Sequence, residues 1–274
     1  MAIQDIFGQP LKAVNVGLES FAESLRDQGV AVQHVDWRPP LEGYVELTHT
    51  AAGAEIDAVN AEAVERIRKG RPLLVGMGVA RDVIPGMGER MILHAGPPIT
   101  WERMCGPMRG AVMGAAVYEG WAKTYVEAAE MAAAGEFTFD PCHHHHAVGP
   151  MAGIISPSMP VFLIKNETFG NVTYATQNEG LGKVLRYGAY GDAVLERLKW
   201  METELYPALV RALEVTGPID LRSVIAQALH MGDEAHNRNR AATSLVIRQL
   251  MAAIVQTTRT ETAITVLKFM DGND

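Results

Sequence analysis

The strongest constraint on this chain is at its start, where two short apolar runs flank one amphipathic stretch. Residues 11–16 suit a buried strand. Over residues 18–28, Leu18, Phe21, Ala22 and Leu25 fall on one helical face. Gly29 follows as a helix stop, and residues 30–35 form the second run. A strand, helix, strand order of this length pairs its strands in parallel. The next helix spans residues 57–69, with Val59, Ala63 and Ile67 inward, and a strand starts at Pro72.

Beyond residue 99 the pattern changes. Residues 99–135 read as helical in two or three pieces, broken near Gly106-Pro107 and Gly120. Residues 136–140 alternate as a strand, residues 151–155 and 160–165 are β-like, and residues 172–176 form another strand after a turn at 166–171, the pattern of a hairpin. From residue 192 the rhythm is helical again, over 193–213, 221–231 and 241–255. The expected fold is therefore α+β (irregular α/β), with a mixed sheet, a helical insertion and a helical C-terminal region. The expected division is 1–98, 99–135, 136–190 and 191–274. The last amphipathic helix carries Ile247, Leu250, Met251 and Ile254, which need cover.

Charge and cysteine content exclude some roles. A net charge of -8 with scattered basic residues argues against a nucleic-acid footprint. No apolar run reaches the length of a membrane span, and no basic-then-apolar leader opens the sequence. Cys105 and Cys142 are too few for a disulfide scaffold, so a reducing, cytoplasmic setting is expected. Cys105, in a helical apolar stretch, is expected to be a buried inert thiol.

Four segments rich in glycine, proline and polar groups interrupt the apolar rhythm, and such loops often carry sites. Residues 94–100, His-Ala-Gly-Pro-Pro-Ile-Thr, are either an anion cradle or a tight turn. Residues 142–146 are Cys-His-His-His-His. His144 and His145 are candidates for acid–base work. Adjacent residues on an extended chain alternate faces, so at most two of the four histidines could share a metal. The metal and cofactor questions stay open. Residues 176–183 offer Asn178, Glu179 and Lys183 as polar contacts, with Glu179 the catalytic candidate. Residues 230–240 offer His236, Asn237, Arg238 and Arg240 for a small anionic carbonyl or ureide substrate, since arginine can fork onto carboxylate or phosphate. The three later segments are expected to meet in one polar cleft, because burying them apart would strand polar groups. A metal-assisted amidohydrolase using the histidines and Asp233 is a competing reading, as is a non-catalytic assembly subunit.

The stretches HAGPPITWERMCGPMRGA, PCHHHHAVGPMAGIISPSMPVF, NEGLGKVLRYGA and ALHMGDEAHNRNRAATS resemble the YlbE-like family, long classed as a domain of unknown function. The resemblance implies a subunit of an oxamate carbamoyltransferase, an FdrA-type partner subunit, a homo- or hetero-oligomer, and a place in ureide and purine nitrogen catabolism. It also implies family members that continue past the end of this chain.

Overall fold

A computed structural model describes residues 10–38, 48–49, 52–149, 153–177, 179–236 and 238–272. The fold is α+β with mixed sheets, as the sequence pattern implies. It divides into two compact units, Met1–Val64 and Glu65–Asp274. The expected loop at 41–55 falls largely outside the described residues.

In the first unit β1 (Lys12–Val16) and β2 (Ala31–Val35) pair in parallel, from Lys12 opposite Ala31 to Val16 opposite Val35. The crossover is α1 (Glu19–Asp27), closed by Gly29 at φ +76. The topology follows the expectation, but the burial does not. Val14 is 70% and Phe21 63% exposed, and only Ala22 of α1 is buried. Helix α2 (Ile56–Lys69) likewise has no buried residue, with Ile67 79% exposed. Periodicity marks an apolar face, whereas burial also needs a second surface to cover it.

The second unit is built on a five-stranded sheet and a three-stranded one. The larger has the order β10 (Ile219–Asp220), β3 (Pro72–Val79), β8 (Pro160–Asn166), β9 (Val172–Thr176), β6 (Ala147–Val148). All its pairs are antiparallel except β6 with β9. The smaller places β4 (Met91–His94) between β5 (Thr138–Pro141) and β7 (Ile154–Ile155). A single-turn helix, α3 (Ala80–Val83), follows β3. The expected helical insertion is α4 (Gly106–Tyr118) and α5 (Tyr125–Ala133), the latter capped by Thr124 accepting from the Glu127 N–H.

The C-terminal region comprises α6 (Asp192–Trp200), a π-helical turn Met201–Leu205, α7 (Tyr206–Thr216), α8 (Leu221–His230), α9 (Arg240–Thr257) and α10 (Thr260–Asp271). Leu205, Leu209, Leu213, Val224, Leu250, Ile254 and Val266 form its core. Of the four apolar residues singled out on α9, Leu250 and Ile254 are buried, Ile247 is half-buried and Met251 is 48% exposed.

Cysteine burial is the reverse of the expectation for one residue. Cys105 is exposed in front of α4, because the chain turns there into the Gly106-Pro107 helix start. Cys142 is buried, and burial pushes its thiol up to about 11.

Candidate functional site

The glycines of α4 set the geometry of the site. A methyl group on Gly110 would stand 2.2 Å from the Gly188 carbonyl oxygen, and one on Gly114 would stand 2.4 Å from Leu185 Cδ1. Small residues spaced one helical turn apart thus let the short 3-10 segment Leu185–Tyr187 lie directly on the helix. That close approach aims two backbone N–H groups at Glu179. Leu185 N donates to Glu179 Oε2 at 2.5 Å and Arg186 N to Oε1 at 3.1 Å. Arg197 Nη1 donates to the Glu179 carbonyl at 3.2 Å. Burial pushes the Glu179 carboxyl up, and the two N–H donors pull it part of the way back.

Glu179 borders a small cavity at the end of β9, of about 40 Å³. Tyr118, Gly153, Thr176, Gln177 and Arg186 also line it. Two fully buried polar atoms of these lining residues have no partner among the described residues, Gln177 Oε1 and Arg186 Nε. Gln177 is 8% exposed, and among the described residues its side chain makes one long hydrogen bond, Nε2 to Met77 Sδ at 3.9 Å. The floor is firmly held. Tyr118 donates to Glu202 Oε2 at 2.9 Å, and burial pushes its phenol far up, so it stays a donor. Beside it Glu119 accepts from Ser156 Oγ at 2.6 Å, from Ser158 N at 2.7 Å and from Ser158 Oγ at 2.7 Å. Arg81 also donates to Ser158 Oγ.

The histidine run forms a second cluster. Cys142–His145 is a 3-10 turn, closed by His146 in the left-handed region at φ 54. Asp140 binds both neighbours, His144 Nδ1 at 2.9 Å through Oδ1 and His145 Nε2 at 2.8 Å through Oδ2. His145 is buried, and its Nδ1 lies 2.7 Å from the Pro85 carbonyl, with the ring against Gly86. His144 is half-exposed, held through Nδ1 by Asp140, and its ring meets that of His143 edge-on with centroids 4.6 Å apart. An aspartate holding Nδ1 of a half-exposed histidine is an arrangement suited to an imidazole base. The Asp140 carboxyl is pulled below its ordinary 3.8, mainly by the His145 hydrogen bond.

The predicted site segments converge only in part. The His146 carbonyl accepts from Tyr174 N at 3.0 Å, and Ala147 and Val148 pair with Tyr174 and Ala175, so the histidine turn runs beside β9. The cavity and the histidine cluster share no residue. Lys183, His236, Arg238 and Arg240 are all exposed. The 233–240 turn is held locally. Arg238 N donates to Glu234 Oε1 at 3.1 Å, Asn239 Nδ2 to the His236 carbonyl at 2.5 Å, and Ala242 N to Asp233 Oδ2 at 2.8 Å. Asn239 borders an open apolar groove of about 390 Å³ between α8, α9 and α10, and Gln177 borders it too. Asn178 and Asn237 lie outside the described residues. Among the described residues no three His, Cys, Asp or Glu side chains converge as metal ligands, and no helix is long and apolar enough to cross a membrane.

Sequence reasoning missed Tyr118, Glu119, Asp140, Ser156 and Arg186. Asp140 alone had a local signal, its placement four residues before His144.

Residues 137–274, half of the chain, match the family model described as "Oxamate carbamoyltransferase subunit AllG". The chain belongs to the AllG family. The matched region contains Asp140, the histidine turn, Gln177, Glu179 and Arg186, whereas Tyr118 of the cavity and Pro85 beside His145 precede it. The chain is 48% identical over 260 residues to the "Uncharacterized protein YahG" of Escherichia coli, covering 92% of this chain and 55% of that one. It is 46% identical over 199 residues to the "Oxamate carbamoyltransferase subunit AllG" of Escherichia coli, covering 72% and 48%. A crystal structure of a conserved protein of unknown function from Enterococcus faecalis superposes with a TM-score of 0.78 at 50% identity, covering 80% of this chain and 52% of that one. The chain thus spans about half the length of the relatives it matches.

Proposed function

We propose that this AllG-family chain is a subunit of a carbamoyl-transferring enzyme and that the cavity at the end of β9 receives its small substrate. The observation that carries the reading is the cavity itself, bordered by the buried carboxyl of Glu179 with Gln177 and Arg186 beside it. A concave site that gathers a few polar groups around a carboxyl shifted by burial is where a small ligand is expected. In the reaction, the amide nitrogen of oxamate bonds to the carbamoyl carbon of carbamoyl phosphate. The carbon–oxygen bond to phosphate breaks, phosphate leaves, and one proton departs from the nitrogen to a base. Glu179 is the proposed base at the cavity, because burial has already raised its affinity for a proton. His144, backed by Asp140, is the second candidate for proton transfer, with His145 anchoring the pair. Arg238 and Arg240 are the proposed anion holders, with Lys183, His236, Asn178 and Asn237 as further contacts.

The finer assignment follows the YlbE-like resemblance: an FdrA-like partner subunit, and a place in ureide and purine nitrogen catabolism. A second reading, an assembly subunit without chemistry of its own, is favoured by the open apolar groove beside Asn239. Co-expression with an FdrA-like protein and an assay of carbamoyl transfer to oxamate decide between them. The first reading expects Glu179→Gln to abolish turnover in an intact assembly. Unchanged turnover in that variant would leave the assembly role.

A further inference from the structure

We propose that His145 is a positioning residue that carries a proton on both ring nitrogens, and that it fixes Asp140 so that His144 keeps its proton on Nδ1 and a bare Nε2. This deepens the preceding reading and rests on it for the claim that His144 transfers a proton. Both neighbours of the His145 ring are oxygens. Its Nδ1 lies 2.7 Å from the Pro85 carbonyl oxygen, and its Nε2 lies 2.8 Å from Asp140 Oδ2. A carbonyl oxygen and an ionised carboxylate can only accept. A neutral imidazole has one N–H and one lone pair, so one of these short contacts would set lone pair against lone pair. The doubly protonated ring donates in both.

Moving a proton onto the carboxyl is the other way to satisfy both contacts, and Asp140 opposes it. Its carboxyl is pulled below the ordinary 3.8, and its other oxygen, Oδ1, lies 2.9 Å from His144 Nδ1. Asp140 is also 33% exposed, so water favours its ionised form. Burial opposes a cation at His145. Two short charge-assisted hydrogen bonds and the adjacent carboxylate offset that cost, because neither ring N–H is left without a partner. Among the described residues Asp140 is the one ion-pair partner of His145. Cys142, in the same turn, is held as a thiol by burial and adds no charge. His143 and His146 are exposed, and His143 meets the ring of His144.

The effect passes to His144 through the carboxylate. With Oδ2 pinned by His145, Oδ1 of an ionised Asp140 faces His144 Nδ1 and requires a proton there. A neutral ring with its proton on Nδ1 keeps its lone pair on Nε2, the atom that can then take a proton. A free histidine prefers the opposite form, with the proton on Nε2. The clamp therefore reverses the intrinsic preference of a half-exposed ring.

The test is ring ¹⁵N NMR of the histidine-labelled full chain at about pH 7.5, above the ordinary histidine range near 6.5. The protein has nine histidines, so ring signals are tied to positions through the backbone assignment. His145 is expected to show two protonated nitrogens, and His144 a protonated Nδ1 with a bare Nε2. In His145→Gln the Asp140 carboxylate is free to turn to solvent, and His144 should move towards the Nε2–H form. In an active assembly the same variant should lower kcat about tenfold or more with KM unmoved. The proposal is overturned if His145 carries one ring proton, if His144 of the native chain is in the Nε2–H form, or if His145→Gln leaves kcat unchanged. The native spectra decide the proton positions even where His145→Gln does not fold. They need neither partner nor turnover, so the two readings fail separately. The expected proton pattern together with full transfer by His144→Ala overturns the positioning role along with the reading it rests on. A missing pattern in a chain that supports transfer overturns the clamp alone.

Discussion

The histidine turn and the β9 cavity are both polar and both partly buried, yet their accounts of hydrogen bonds differ. In the first, both Asp140 oxygens and both His145 ring nitrogens have partners. In the second, Gln177 and Arg186 each keep an atom without one. A satisfied network fixes a fold, whereas an unsatisfied one is a local cost that a ligand can relieve. The residues that look most like chemistry in the sequence, the adjacent histidines, thus include one with a clear structural job. The residues that look plain, a glutamine and an arginine near a glycine-rich turn, each bury a polar atom without a partner among the described residues.

The sharpest way to break this contrast is Arg186→Met in an active assembly. Turnover should fall by about 100-fold or more, the scale of losing one preorganised donor. Stability against urea should change by no more than about 1 kcal/mol, because methionine removes a buried donor that lacks a partner but also loses the Nη2 bond to the Gly180 carbonyl at 3.4 Å and the packing of the guanidinium on the Tyr187 ring. A clear loss of stability with turnover intact would move Arg186 into the scaffold.

Next in size is His145→Ala. It removes hydrogen bonds to Asp140 and to the Pro85 carbonyl and opens a hole against Gly86, so urea unfolding should show a loss of about 2–4 kcal/mol. His144→Ala, at a half-exposed position with one hydrogen bond, should cost under about 1 kcal/mol. Equal costs at the two positions would erase the distinction between anchor and free imidazole.

The two regions should also tilt the pH dependence of stability in opposite directions. Asp140 has a lowered folded-state value, so its contribution is complete above its ordinary 3.8 and is lost as pH falls through the folded value. Glu179 has a raised one, so its contribution is complete below its ordinary 4.5 and is lost as pH rises through the folded value. Asp140→Asn should flatten the acid limb, and Glu179→Gln should flatten the decline above pH 4.5. Chemical denaturation across pH reads both, and slopes of the same sign would refute the assignment.

Elements were legible where local pattern suffices. Residues 172–176 form β9 over the range expected after the turn at 166–171, and Gly29 and Gly120 follow their helices with positive φ. What pattern could not supply was the covering surface. The apolar faces of β1 and α2 are real in sequence but exposed in the structure, and Cys105 is exposed despite its apolar neighbours. At the site, Glu179 could be flagged from its loop. Its partnership with Arg186 depends on Gly110 and Gly114 admitting the 185–188 turn onto α4, more than seventy positions upstream by these residue numbers. Gln177 likewise becomes notable only when its oxygen is found without a partner. These are facts of tertiary contact, which no local period encodes.

The smallest effect is expected at Arg238, and it tests whether any part of the 233–240 turn belongs with the open region. The contacts that hold this residue are made by its backbone. Its N–H donates to Glu234 Oε1, and its carbonyl accepts from Glu234 N at 3.3 Å. Alanine keeps both, so Arg238→Ala should change stability by no more than about 0.5 kcal/mol. If its exposed guanidinium helps hold phosphate, the KM for carbamoyl phosphate should rise about three- to tenfold at low salt, and the gap should narrow as salt screens an exposed charge. No rise at low salt would take Arg238 out of anion binding. A rise that persists unchanged in molar salt would mean that the assembled enzyme buries this side chain, which would place the turn at a subunit contact instead of at the solvent.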